Sequence, residues 1–216
     1  MHDLKASVFS HSAWKWNDQR EAYYLHQFAT EQPDLNYREP RVVQAMKDVL
    51  TFWMDKGADG FRVDAVNHLY EDPAFRNGEK SGMTEDEDSY DYLTHEFSKD
   101  LVSQAVLCFF MSTFHSKLHF QDETYDMVGQ WRELIDAYNA EKGGSTRVIF
   151  IEAYTSVENT VRFYADAKGK PRAHFPFNFF LIGDLDSRST ARSFQNTINK
   201  WMRNMPEGAT PNWVVS

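Results

Sequence analysis

The 216-residue chain holds one cysteine, Cys108, so no intrachain disulfide framework can form and cysteine usage does not reveal the redox compartment. No uninterrupted apolar run approaches the roughly 18 residues of a membrane helix. The opening Met1-His-Asp-Leu-Lys has no apolar stretch behind it, so this chain is expected to carry no signal peptide. Basic residues are outnumbered, 23 Lys and Arg against 32 Asp and Glu, for a net charge of −9, which argues against nucleic acid or an anionic membrane as partner. The acidic stretch from Glu71 to Tyr92 lacks the alternating ligands and glycine turn of an EF-hand. The run Glu85-Asp-Glu-Asp88 therefore reads as a solvated loop leading into a helix, and no metal ligands are assigned.

What is abundant is aromatic surface: Phe, Trp and Tyr make up 15% of the chain, including six Trp, more than a generic core requires. Residues 1 to 36 concentrate Trp, His, Tyr and Gln without a sustained period and read as loop with short strands. From Tyr37 a helix is expected. Val42, Met46, Val49 and Trp53 recur at helical spacing, Val43 and Leu50 widen the stripe, Asn36 can cap its start and Gly57 can close its end.

A turn and a buried strand follow within Gly57-Ala-Asp-Gly-Phe-Arg-Val-Asp-Ala-Val-Asn-His68. Arg62 and Asp64, two apart, share one face of that strand, while Phe61, Val63 and Ala65 point to the other. A guanidinium beside a carboxylate favours its ionised form, as a carboxylate nucleophile requires, although the same spacing also suits an ordinary structural ion pair.

Downstream, Leu101 to Phe120 is apolar and nearly free of charge between two hydrophilic stretches. A helix is expected over Val128 to Tyr138, with Trp131, Leu134, Ile135 and Tyr138 on one side, broken by Gly143-Gly144. The buried run Val148-Ile-Phe-Ile151 then reads as a strand ending at Glu152. The remaining expectations are a helix over Val157 to Ala167 and an aromatic strand over His174 to Ile182. A further helix is expected over Ser189 to Met202, capped by Ser187 or Ser189 and carrying Phe194, Ile198 and Trp201, before a strand beginning at Pro211.

Four of these stretches, in order, resemble the motifs of the α-amylase superfamily, glycoside hydrolases built on a (β/α)8 barrel. Gly60-Phe-Arg-Val-Asp-Ala-Val-Asn-His68 is similar to its fourth-strand signature. Gln32-Pro-Asp-Leu-Asn36, preceded by Tyr23-Tyr-Leu-His26, is similar to the motif near the end of its inserted second domain, in the form of the α-glucosidase branch, and the four motifs together most resemble insect maltases. Val148 to Tyr154 resembles the fifth-strand motif, and Phe175-Pro-Phe-Asn-Phe179 the sixth strand.

The resemblance implies an α/β fold. Residues 1–36 would be the C-terminal part of the inserted domain, with Trp14, Trp16, Tyr23, Tyr24 and His26 as candidate rim residues. Residues 37–216 would be a partial barrel comprising strands four to six and the start of the seventh. A whole barrel takes about 250 residues. Residues 101–120 would be an atypical insertion, such as translated intron, or else a genuine extra helix. The resemblance also implies a retaining α-glucosidase acting on terminal α-glucosidic bonds of maltose-type sugars. In that scheme Asp64 is the nucleophile, Glu152 the acid/base and Arg62 and His68 supporting or substrate-binding residues. No cofactor is required, and structural calcium in a full-length parent lies largely outside this stretch. The family's third-strand Asp-x-Val-x-Asn-His motif and seventh-strand Asn-His-Asp motif are not matched, so the chain by itself is expected to be inactive. A non-catalytic homologue, such as the heavy-subunit ectodomain of an amino-acid transporter, or an inactive truncated product is the alternative; the parent would be secreted or membrane-anchored.

Overall fold

The computed structural model describes residue 7 and residues 12–75 and 122–215. The Leu101 to Phe120 stretch and most of the acidic segment lie outside the described residues. The chain divides into two compact units, Met1–Val42 with Tyr70–Gln121, and Val43–Leu69 with Asp122–Ser216.

In the first unit, β1 (Trp14–Asn17) and β2 (Ala22–Leu25) form an antiparallel hairpin that sets Trp16 opposite Tyr23. The Asn17 carboxamide oxygen accepts the Arg20 N–H at 2.8 Å and so closes the turn on itself. The Gln32-to-Asn36 motif is a loop fastener. The Asp34 carboxylate accepts the Gln27 N–H at 2.6 Å, while the Asp34 N–H donates to the Leu25 carbonyl at 2.9 Å. Of the candidate rim residues, His26 is buried, with its ring Nδ1 on the Phe28 carbonyl at 2.8 Å, whereas Trp16 and Tyr23 are exposed and meet edge to face.

The second unit is built on a three-stranded parallel sheet, β3 (Gly60–Val63), β4 (Val148–Ile151) and β5 (Phe175–Pro176), with β4 in the middle. Gly60 stands against Val148 so closely that a Cβ would lie 2.5 Å from the Val148 carbonyl oxygen; the sheet closes there because nothing larger is present. Before β3 runs α1 (Pro40–Asp55). Asn36 does not cap it: its side chain accepts the Arg38 N–H and shapes a preceding turn, and Pro40, which has no N–H to satisfy, opens the helix. Gly57, at φ 94°, ends it as expected, with the Gly57 and Ala58 N–H groups on the Met54 and Trp53 carbonyls.

Between β3 and β4 comes α2 (Asp122–Lys142), longer than the periodicity indicated. Asp122 and Glu123 in its first turn and Lys142 in its last complement the helix dipole. Trp131 and Ile135 are buried, and Tyr138 reaches back to donate to Asp55 at 2.8 Å. Helix α3 (Val157–Val161) is shorter than expected, because Asp166 captures the Lys168 and Lys170 N–H groups and folds the chain into a turn.

The aromatic strand also stops early. Pro176 cannot donate to the ladder, and the buried Asn178 side chain accepts the Phe180 N–H, turning the chain into α4 (Phe180–Gly183). The next helix, α5 (Ala191–Asn204), is capped by Thr190 and not by Ser187 or Ser189: Thr190 and Ser193 exchange side-chain and backbone bonds, while Ser189 is turned onto Asp186. From Pro211 no regular strand forms. The Val214 N–H donates to the Asn178 carbonyl, and the Asn212 side chain occupies the Asn178 N–H and the Pro176 carbonyl where a backbone ladder would run. The core under β5 joins Val157, Tyr164, Phe180 and Trp201.

Candidate active site

The parallel register pairs Arg62 with Phe150 and Val63 with Ile151. One step further, the Glu152 N–H donates to the Val63 carbonyl at 2.9 Å and the Val66 N–H to the Glu152 carbonyl at 3.0 Å, so the ladder runs past both strand ends. Period-two alternation then sets Arg62, Asp64, Phe150 and Glu152 on one face, where β5 adds Phe175 and Phe177. This is the carboxyl end of the parallel strands.

Arg62 holds the two acids together. One of its terminal nitrogens donates to Asp64 Oδ1 at 3.1 Å and to Glu152 Oε2 at 2.5 Å. The environments of the two acids differ sharply: the Asp64 side chain is 73% exposed and that of Glu152 12%. Burial pushes the Glu152 carboxyl above the usual carboxylate range, and a hydrogen bond with Asp64 and the Asp64 charge push it further. Arg62 and the Ala65 backbone oppose the shift without reversing it. Glu152 is thus held toward its protonated form, and Asp64 is the acid open to solvent.

Ala65, just after Asp64, has φ 44° and ψ 40°, a left-handed conformation that costs a Cβ-bearing residue about 1–2 kcal/mol. That twist redirects the chain from β3 into the 3-10 turn Val66–His68, in which Asn67 is buried. His68 lies on this turn, half-buried.

Sequence reasoning left the aromatic lining unassigned. Phe150 stacks parallel on Phe175 at 5.3 Å and meets Phe177 edge-on. Phe177 touches Phe179, and Phe179 stacks on Tyr154 at 4.2 Å and 14°. The Arg62 guanidinium lies 5.9 Å from the Phe177 ring centre. The signal was the odd-numbered alternation Phe175, Phe177, Phe179 together with the tyrosine two residues after Glu152. Among the described residues no group of three or more His, Cys, Asp or Glu side chains is placed to hold a metal ion. No described helix is long and apolar enough to cross a membrane.

Residues 4–216 match the α-amylase catalytic domain. The salivary alpha-glucosidase of Anopheles gambiae is 46% identical over 97% of this chain and 32% of its own length. A human amino acid transporter heavy chain is 36% identical over 97% of this chain and 28% of its own. The crystal structure of the alpha-glucosyl transfer enzyme XgtA superposes with a TM-score of 0.70 at 30% identity, covering 97% of this chain and 35% of that one. The chain thus spans about a third of the length of the relatives it matches. With a family match along nearly its whole length, and two carboxylates and an arginine gathered at the strand ends, this chain belongs to the α-amylase family of glycoside hydrolases.

Proposed function

We propose that the chain carries the nucleophile and the acid/base of a retaining α-glucosidase acting on terminal α-glucosidic bonds of maltose-type sugars. In this reading its three parallel strands are the fourth to sixth of a (β/α)8 barrel. The observation that supports it is the convergence of Asp64 and Glu152 from adjacent strands on one guanidinium.

Asp64, the exposed carboxylate, attacks the anomeric carbon as the glycosidic C–O bond breaks, and the departing oxygen takes the proton of Glu152. This leaves a glucosyl ester on Asp64. Water then attacks the same carbon, gives its proton to the Glu152 carboxylate, and the ester bond to Asp64 breaks. Retaining chemistry works with carboxyls about 5–5.5 Å apart. Here both acids are gathered on one terminal nitrogen of Arg62. The cycle uses no cofactor. The salivary relative supports an extracellular setting for the parent protein.

Retention of both acids favours this reading over that of a transporter heavy subunit, a scaffold role that requires neither. The test is covalent trapping. With the third- and seventh-strand motifs unmatched, no steady turnover is expected of the chain alone, but trapping asks only for one attack: a 2-deoxy-2-fluoro or 5-fluoro glucosyl fluoride incubated with the chain should leave a glucosyl adduct on the peptide bearing Asp64, by mass spectrometry. The adduct should be absent in Asp64→Asn, and its formation from an aryl glucoside should slow by about 10²–10⁴-fold in Glu152→Gln. Label on another carboxylate, or none on the chain, would refute the assignment.

A further inference from the structure

A cleft of about 600 Å³ opens between the start of α2 and the turn that follows α3, a turn closed by an antiparallel bridge between Ala165 and Pro171. Its charged lining is three cations, Arg162, Lys168 and Arg172, and three acids, Asp122, Asp126 and Asp166. None of them belongs to the Arg62–Asp64–Glu152 cluster. Both arginines rest on the buried Tyr125, their guanidinium carbons 4.0 and 5.1 Å from its ring centre. Tyr125 is itself fixed, its hydroxyl donating to the Asn159 carbonyl at 3.1 Å and its ring packed on Phe163 at 4.6 Å. Arg172 is held further: its Nη1 donates to the Arg162 carbonyl at 3.1 Å, and its side chain is only 13% exposed.

The acids are held less firmly than the arginines. Arg162 meets Asp122, and Arg172 meets Asp126 at 3.4 Å, each through one terminal nitrogen instead of the two-pronged edge of the guanidinium, and the Asp122 and Asp126 side chains are 80% and 70% exposed. Exposed pairs of single contact contribute little, so a better acceptor displaces them readily. Asp166 is committed to its own turn, its Oδ1 accepting the Lys168 and Lys170 N–H groups at 2.8 and 2.9 Å. Lys170 pairs with Glu133, while Lys168 lines the cleft.

Two positioned guanidinium forks and an ammonium match a tetrahedral dianion with three acceptor oxygens, which is a phosphoryl group. The cleft is far larger than a bare phosphate and lies within the range of about 300–1,000 Å³ typical of small-molecule sites. Val161, Ala165 and Ala167 give it an apolar wall. We propose that this cleft binds a small soluble phosphomonoester, with its phosphoryl oxygens on Arg162, Arg172 and Lys168 and its organic part along Val161, Ala165 and Ala167. Asp122 and Asp126 occupy the guanidiniums until the ester displaces them, so they compete with the ligand and weaken it. The assignment stands independently of the glucosidase reading.

Amide resonances of the isotope-labelled chain, followed at about pH 7.5 and constant ionic strength, test this with glucose 6-phosphate, inorganic phosphate and glucose as probes. Glucose 6-phosphate should shift the amides between Ala165 and Arg172 with a dissociation constant of about a millimolar, inorganic phosphate should bind there more weakly, and glucose should leave these amides fixed. Arg172→Gln should weaken the ester at least about tenfold. Because Arg172 also supports the fold, Lys168→Gln, at an exposed position, supplies a second expected loss, of about threefold. Asp126→Asn gives the deciding sign: with the competing charge removed, the ester should bind about two- to fivefold tighter, a gain that a purely structural ion-pair network does not produce. Unchanged or weaker binding in Asp126→Asn would overturn the proposal, as would shifts that sodium chloride reproduces. Equal affinity for inorganic phosphate and the ester would overturn the seat for the organic part.

Discussion

Glu152 and Asp64 begin as chemically similar carboxylic acids and are separated by what surrounds them. The strand end buries Glu152 and exposes Asp64 around one shared guanidinium. Because the folded state raises the Glu152 value above its ordinary 4.5, the native chain holds a proton there that the unfolded chain releases. Stability from this group is therefore full below about 4.5 and declines as pH rises through the raised folded value. Glu152→Gln, always neutral, should remove that decline. Wild type and variant melting temperatures, compared across pH 4 to 8, should diverge upward in favour of the variant; parallel curves would deny the shift.

Gly60→Ala drives a Cβ into the Val148 carbonyl and should destabilise the chain by about 1–3 kcal/mol in urea unfolding. At Ala65 the strain of φ 44° runs the other way, so Ala65→Gly should be neutral or stabilising by up to about 1 kcal/mol despite the added chain entropy. A loss of more than that would show that the Ala65 methyl contributes packing that the backbone geometry alone does not reveal.

Among the elements, β5 is the shortest and the most dependent on side chains. His174 brackets it to β4: its N–H donates to the Ile149 carbonyl at 2.9 Å and its ring Nδ1 accepts the Ile149 N–H at 3.0 Å. Burial, and after it the Arg132 charge, holds the imidazole below its ordinary 6.5. The bracket is fully in place above pH 6.5, and its stability is lost as pH falls from there through the lowered folded value, where a proton on Nδ1 expels the Ile149 N–H. His174→Gln should flatten that acid limb, as read by melting temperature between pH 4.5 and 7.

At this scale the sequence was legible where one local rule decides. Gly57 closes α1 and Gly143-Gly144 closes α2, because positive φ is needed there. The alternation in β3 and β4 gave the face carrying Arg62 and Asp64. It was illegible where side chains replace backbone partners. Nothing in Phe175-Pro-Phe-Asn-Phe179 announces that Asn178 will end the strand, or that Asn212 will stand in for a ladder. The stacked Tyr154–Phe179 pair needs the β4–β5 register before the two rings can be seen to meet.

For the molecule as a whole, the apolar stripes of α1 and α5 did not end up where periodicity placed them. Met54 is the buried residue of α1, while Val49, Phe52 and Trp53 are exposed; on α5, Thr197 and Trp201 face the core, while Phe194, Ile198 and Met202 are exposed. Exposed apolar side chains grouped on two helices favour self-association, and the net charge of −9 opposes it. Which one dominates depends on ionic strength: raising salt from about 0.01 M to 0.15 M shortens the screening length from about 30 Å to about 8 Å. Sedimentation of the chain should therefore show association growing with salt. Phe52→Glu combined with Phe194→Glu should abolish that growth. Both side chains are half in water, so each change should cost no more than about 1–1.5 kcal/mol, half the worth of a fully buried ring. Association that falls with salt would mean that opposite-charge contacts, and not these stripes, bring copies together. Association that persists in the double variant would move the sticky surface elsewhere on the molecule.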